Sequence, residues 1–92
     1  MKVDRFEFTR RFTKRVGELP PRRQSRVKET LKLAAADLSS PQLHLHELKG
    51  QLAGTQSISV GGDLRIHLQL HRDGDVVVAT LLTVGTHAQL YE

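Results

Sequence analysis

The 92-residue sequence contains no cysteine and no tryptophan, one tyrosine, three phenylalanines and three prolines. Each shortage excludes something. Without cysteine there is no disulfide framework, no thiolate metal ligand and no thiol nucleophile. No apolar run approaches the ~18–20 residues that a membrane span requires. The first residues, MKVDRFEFTR, are charged throughout and lack the apolar centre of a secretory signal. Together these absences give the cytoplasm as the expected compartment, with no membrane partner. A chain of 92 residues allows one domain, read as residues 1–92, and one modest core.

What is present is mostly positive charge. Fourteen Lys and Arg stand against ten Asp and Glu, a net charge of +4, while 38% of residues are hydrophobic. With seven glycines added, that apolar share is the one expected of a globular chain rather than a disordered tail. A small basic domain suits a nucleic acid, a ribosome or an acidic protein as partner. Charge alone does not choose among them.

Periodicity sets the expected layout. Val3, Phe6 and Phe8 predict a short strand over 3–9, its alternation broken by Asp4 and Arg5. Phe12, Val16 and Leu19 predict a helix over 9–19 with Thr9 as its N-cap. Pro20-Pro21 ends it, and Pro21 suits the first position of a second helix over 21–38. Val27, Leu31, Ala34, Ala35 and Leu38 form that helix's apolar stripe, with Arg22, Arg23, Arg26, Lys28 and Lys32 on the remaining surface. Ser39-Ser40-Pro41 stops it. Further on, residues 57–60 read as a strand, and Leu64, Ile66, Leu68 and Leu70 alternate strictly with Arg65, His67, Gln69 and His71. Asp73-Gly74 is a hairpin signal, and the apolar run 76–84 predicts a central strand broken by Gly85. The expected class is α+β: an N-terminal strand, a helical hairpin, then a three-stranded antiparallel sheet with the helices on one face.

The chemistry-bearing residues concentrate late in the chain. Arg65, His67, Gln69 and His71 project from one side of a strand, about 6.5–7 Å from one to the next. Five histidines, at 44, 46, 67, 71 and 87, supply groups that exchange a proton near neutrality without a metal. The competing use is zinc, with His44 and His46 joined by His67 or His87. The sequence has neither an HExxH pair nor a cysteine, so no metal site is expected. Gly85 ahead of Thr86-His87 frees the backbone to turn that imidazole over the sheet.

Taken together, His46-Glu47-Leu48-Lys49-Gly50, Gly54, Ser57-Ile58-Ser59-Val60, Asp63-Leu64-Arg65-Ile66 and the ending Val84-Gly85-Thr86-His87-Ala88-Gln89-Leu90-Tyr91 resemble the RelE/ParE toxin superfamily. The His-x-Leu-x-Gly start and the Gly-Thr-His-x-x-Leu-aromatic ending are most similar to its YafQ-type branch. The resemblance covers nearly the whole chain and implies the RelE-like microbial ribonuclease fold. It implies a type II toxin that cleaves mRNA in the ribosomal A site without metal or other cofactor, inhibits translation, and is silenced by a cognate antitoxin. The ribosome, mRNA and that antitoxin are then the partners. By position, His46, Asp63, His87 and Tyr91 match the family's motif residues, and Arg65 is similar to a strand arginine common in the wider superfamily. Ser59 stands where YafQ-like sequences usually carry another histidine, and His67 where they carry an aliphatic or aromatic residue.

Cleavage through RNA's own 2′-hydroxyl needs a base, a positive group on the phosphate and an acid for the leaving 5′-oxygen. Arg65 suits the phosphate, His46 or Asp63 the 2′-proton, and His87 the leaving oxygen, with His67 on the face of Arg65. Tyr91, Lys49 and Ser59 are the candidate substrate-binding residues. Two rivals follow from the same resemblance: a ParE-like inhibitor of DNA gyrase that acts by binding, and a catalytically degenerate member that holds antitoxin or RNA.

Overall fold

The computed structural model describes residues 1–91, so Glu92, where the single-domain reading ended, lies outside the described residues. The chain runs β1 (Arg5–Phe8), α1 (Arg10–Gly17), α2 (Pro21–Ala36), β2 (His46–Glu47), β3 (Gln56–Gly61), β4 (Leu64–Asp73), β5 (Val76–Thr86) and α3 (His87–Tyr91), with single 3-10 turns at Pro41–Leu43 and Gly50–Leu52. Thr9 caps α1 as expected. Its hydroxyl accepts from the Phe12 N–H at 3.1 Å and donates to the Leu81 carbonyl at 2.8 Å, which also ties the helix start to β5. Pro21 opens α2, where the missing N–H costs nothing.

The sheet is larger than the expected three antiparallel strands. It has five, in the order β1-β5-β4-β3-β2, and it is mixed. The first strand pairs in parallel with β5, from Arg5 opposite Val78 to Phe8 opposite Leu81. The helical hairpin makes this possible, since a parallel pair needs a long crossover rather than a tight turn. At the other edge the two-residue β2 pairs with β3, placing His46 opposite Ser57.

Several boundaries also differ. Helix α1 stops at Gly17 and α2 at Ala36, short of Leu19 and Leu38. Leu38 is buried all the same, because its N–H bonds to the Met1 carbonyl at 2.7 Å and folds the chain back under β1. Gly85 does not break the last strand; it lies buried inside β5, opposite Arg65. The β4–β5 turn is Gly74-Asp75, closed by the pair Asp73 and Val76.

Helices α1 and α2 cover one face of the sheet. The core there comprises Phe12, Val27, Ala34 and Leu38 against Ile58, Leu64, Ile66, Leu68, Ala79, Leu81 and Val84. A bulge between His67 and Leu68 in the β4–β5 register lets both Leu81 and Val84 point into this core. Among the described residues no helix is long and apolar enough to cross a membrane.

Candidate active site

The opposite face of the sheet carries the polar half of the alternation, and register aligns it into rows. His46 lies opposite Ser57, Ser57 opposite His67, and His67 opposite Thr83, so one row crosses four strands. The next row is Ser59, Arg65 and Gly85. Directly opposed residues project to the same face with Cβ atoms about 4.5–5.5 Å apart.

Helix α3 folds back over these rows. Its entry is locked by a reciprocal pair, in which the Thr86 N–H donates to the Gln89 side chain at 2.8 Å and the Gln89 N–H to the Thr86 hydroxyl at 3.2 Å. Gly85 makes the close approach possible. A Cβ there would stand 2.9 Å from Gln89 Oε1 and 3.2 Å from Leu90 Cδ2, so both side-chain tips would have to shift. The strand glycine before Thr86-His87 therefore acts by being small inside β5, not by ending it.

The result is a compact stack. The Tyr91 hydroxyl sits 2.9 Å from His67 Nε2, with the rings edge to face at a centroid distance of 5.2 Å. His87 also packs on Tyr91, at a centroid distance of 4.4 Å, and its backbone N–H donates to the Asp63 carbonyl at 3.0 Å. His67 is only 3% exposed. Burial pushes its pKa down from the ordinary value, and the charge of nearby His46 adds to that. Both effects favour the uncharged imidazole.

The remaining expected residues occupy distinct stations. Arg65 is fastened at one end, its Nη1 donating to the carbonyls of Gly62 at 2.8 Å and Leu64 at 3.0 Å and to the Ser59 hydroxyl at 3.3 Å. Ser59 thus lies against the guanidinium as a hydrogen-bond acceptor. His46 is exposed, and its Nδ1 lies 2.8 Å from the His44 carbonyl. A carbonyl only accepts, so Nδ1 is the donor in this contact and Nε2 is the nitrogen turned away from it. Asp63 contributes its backbone carbonyl to the stack, while its carboxylate turns to Arg23 of α2 at 3.9 Å. Lys49 is exposed at the start of the second 3-10 turn. Among the described residues no three His, Cys, Asp or Glu side chains gather in a group that could hold a metal ion.

Two residues outside the expected set also belong to this row. Ser57, fully buried, and Thr83, 8% exposed, flank His67 in its row, and neither hydroxyl has a hydrogen-bond partner among the described residues. Buried hydroxyls are ordinarily satisfied, so two orphans beside one histidine are unusual. The signal was in the alternation: stepping back by two from Ser59 reaches Ser57.

A basic, mixed five-stranded sheet with a helical hairpin on one face and a histidine-bearing terminal helix on the other has the fold of the RelE/ParE toxin superfamily, YafQ-type members included. The chain is similar to the crystal structure of YafQ from E. coli strain BL21(DE3), with TM-score 0.76, 21% identity, and 95% of this chain and 97% of that one covered. It is also similar to the RelBE2 toxin–antitoxin complex from Mycobacterium tuberculosis, with TM-score 0.68, 28% identity, and 92% and 99% covered. A YoeB/ParE toxin from Agrobacterium tumefaciens matches with TM-score 0.73 and 16% identity over 95% of this chain and 99% of that one. No family model and no curated relative matches the sequence.

Proposed function

We propose that this protein is the toxin of a bacterial toxin–antitoxin pair and that it cleaves mRNA on the ribosome without a metal. The observation that carries the reading is the gathering of His67 of β4 with His87 and Tyr91 of α3, with Arg65 in the adjoining row. Arg65 has the fork geometry to hold the scissile phosphate and stays charged through any proton transfer. His46, whose Nδ1 is turned to the His44 carbonyl, takes the 2′-hydroxyl proton on Nε2. The exposed His87 returns a proton to the leaving 5′-oxygen, and the Tyr91 ring offers a base a stacking surface. His67, whose burial favours the uncharged form, orients Tyr91 from below.

The DinJ–YafQ complex of E. coli and the RelBE2 complex of Mycobacterium tuberculosis pair such a fold with an antitoxin, which supports the same kind of partner here. An apolar groove of about 310 Å³ between α1, α2 and β1, lined by Phe8, Phe12, Val16, Val27 and Leu31 and edged by Lys28, suits an amphipathic segment with acidic flanks.

Purified protein added to programmed ribosomes should cut the message at the A site, and Arg65→Ala and His87→Ala should each lower the rate by about 10²–10³-fold. If both variants cut as fast as the parent, the site is wrong. Growth arrest without any RNA cleavage would instead favour a toxin that acts by binding, as a gyrase inhibitor does.

A further inference from the structure

Helix α2 crosses the β3–β4 turn with three arginines, Arg22, Arg23 and Arg26, lining a hollow of about 220 Å³ closed by Val60, Gly61, Gly62 and Leu64. Arg26 shares one helix face with Arg22, four residues away, and with Arg23, three away, so the guanidiniums repel one another. The first turn of α2 has no acidic residue to offset them. Among the described residues their only ion pair is Arg23 with Asp63, at 3.9 Å and largely in solvent. Gly61 adopts φ +140°, and any Cβ on it would run into the Arg26 guanidinium. The positive φ is what favours glycine there, and the Arg26 side chain lies against it with Nη2 donating to the Val60 carbonyl at 3.4 Å.

The same turn touches the candidate active site from its other side. Arg65 donates to the Gly62 carbonyl at 2.8 Å, and the His87 N–H donates to the Asp63 carbonyl at 3.0 Å. Two residues thus separate the arginine hollow from the histidine stack. We propose that the hollow lined by Arg22, Arg23 and Arg26 is a second phosphate site, which holds the RNA backbone around the Gly62-Asp63 turn from the point of cleavage. A phosphate there relieves the repulsion among the three forks and satisfies their donors, which a carboxylate with two oxygens does less completely. This extends the ribonuclease reading, because RNA is named as the polymer on that ground.

The test uses a fluorescently labelled 2′-O-methyl oligoribonucleotide, which has no free 2′-hydroxyl and stays intact, with anisotropy followed over a salt series. Arg22→Gln with Arg26→Gln is expected to weaken binding roughly tenfold. The slope of log K against log salt should flatten by about 0.7 for each phosphate no longer neutralised. A control of equal charge change on α1, Arg10→Gln with Lys14→Gln, is expected to shift affinity by less than about threefold. Equal losses in the two double variants overturn the proposal, as does failure of the parent protein to bind the oligonucleotide. Displacement of the label by poly-glutamate as readily as by unlabelled oligonucleotide overturns it too, and marks a surface for an acidic protein. Cleavage of unmodified RNA, scored separately, keeps the two readings apart. Selective binding without cutting sinks the ribonuclease and leaves the site; cutting with no selective loss sinks the site alone.

Discussion

The two faces of one sheet use the same strands for opposite ends. Toward α1 and α2, Leu64, Ile66, Leu68 and Leu81 are at most 2% exposed and join a continuous apolar cluster. Toward α3, the alternate residues of those strands are Ser57, Arg65, His67, Thr83 and Gly85, under a helix of only five residues. Burying apolar surface stabilises by about 25 cal/mol per Å², so the first face holds the fold. The second face carries features that work against stability: a desolvated histidine and two unbonded hydroxyls, each of the latter costing about 1–3 kcal/mol. The apolar face holds the fold, and the polar face carries the groups that can do chemistry.

The sharpest way to break that comparison is to empty one position on the apolar face. Ile66→Ala should destabilise the protein by about 2–5 kcal/mol, measured by urea unfolding. A loss below about 1 kcal/mol would mean that the helix-covered core does not dominate.

A smaller effect belongs to pH. The folded-state pKa of His67 lies below its ordinary value, so the unfolded chain takes up the proton first as pH falls. The contribution of neutral His67 is full above the unfolded value of about 6.5 and is lost progressively as pH drops through the folded value. Thermal melts between pH 7.5 and 5 should show this decline, and His67→Gln should remove most of it. Tyr91 is the sole tyrosine in a chain without tryptophan, so its emission reports the α3 contact in the same samples. An identical pH slope in the variant would assign the decline to other groups.

The smallest effect is expected at the orphan hydroxyls. Thr83→Val removes an unsatisfied buried oxygen and should leave stability within about 1 kcal/mol of the parent, or raise it, as read from the melting midpoint. A loss near that of Ile66→Ala would show that Thr83 is an ordinary bonded core residue, and the contrast between the faces would fail there.

How much of this was legible beforehand differs by element. Thr9 as a cap, Pro21 as a helix start and the alternation in β4 were readable because each depends on residues within a turn or two. The parallel pairing of β1 with β5 was not, since it joins Arg5 to Val78 across most of the chain. The site divides likewise. His67, Arg65, His87 and Tyr91 could be nominated from composition, spacing and resemblance. That Asp63 turns its carboxylate to Arg23, that Ser59 braces Arg65, and that Ser57 and Thr83 flank His67 depend on strand register.

By itself, the sequence determined which residues alternate between the faces of each strand, where the helices begin, and which side chains can exchange protons or hold phosphates. These are local properties of side-chain type and backbone period. Only the tertiary structure decided which strands stand side by side, that α3 turns back over Gly85, and that one β-turn has arginines on one side and histidines on the other. Such contacts join residues distant in the chain, and their geometry is set by the packing of the whole sheet.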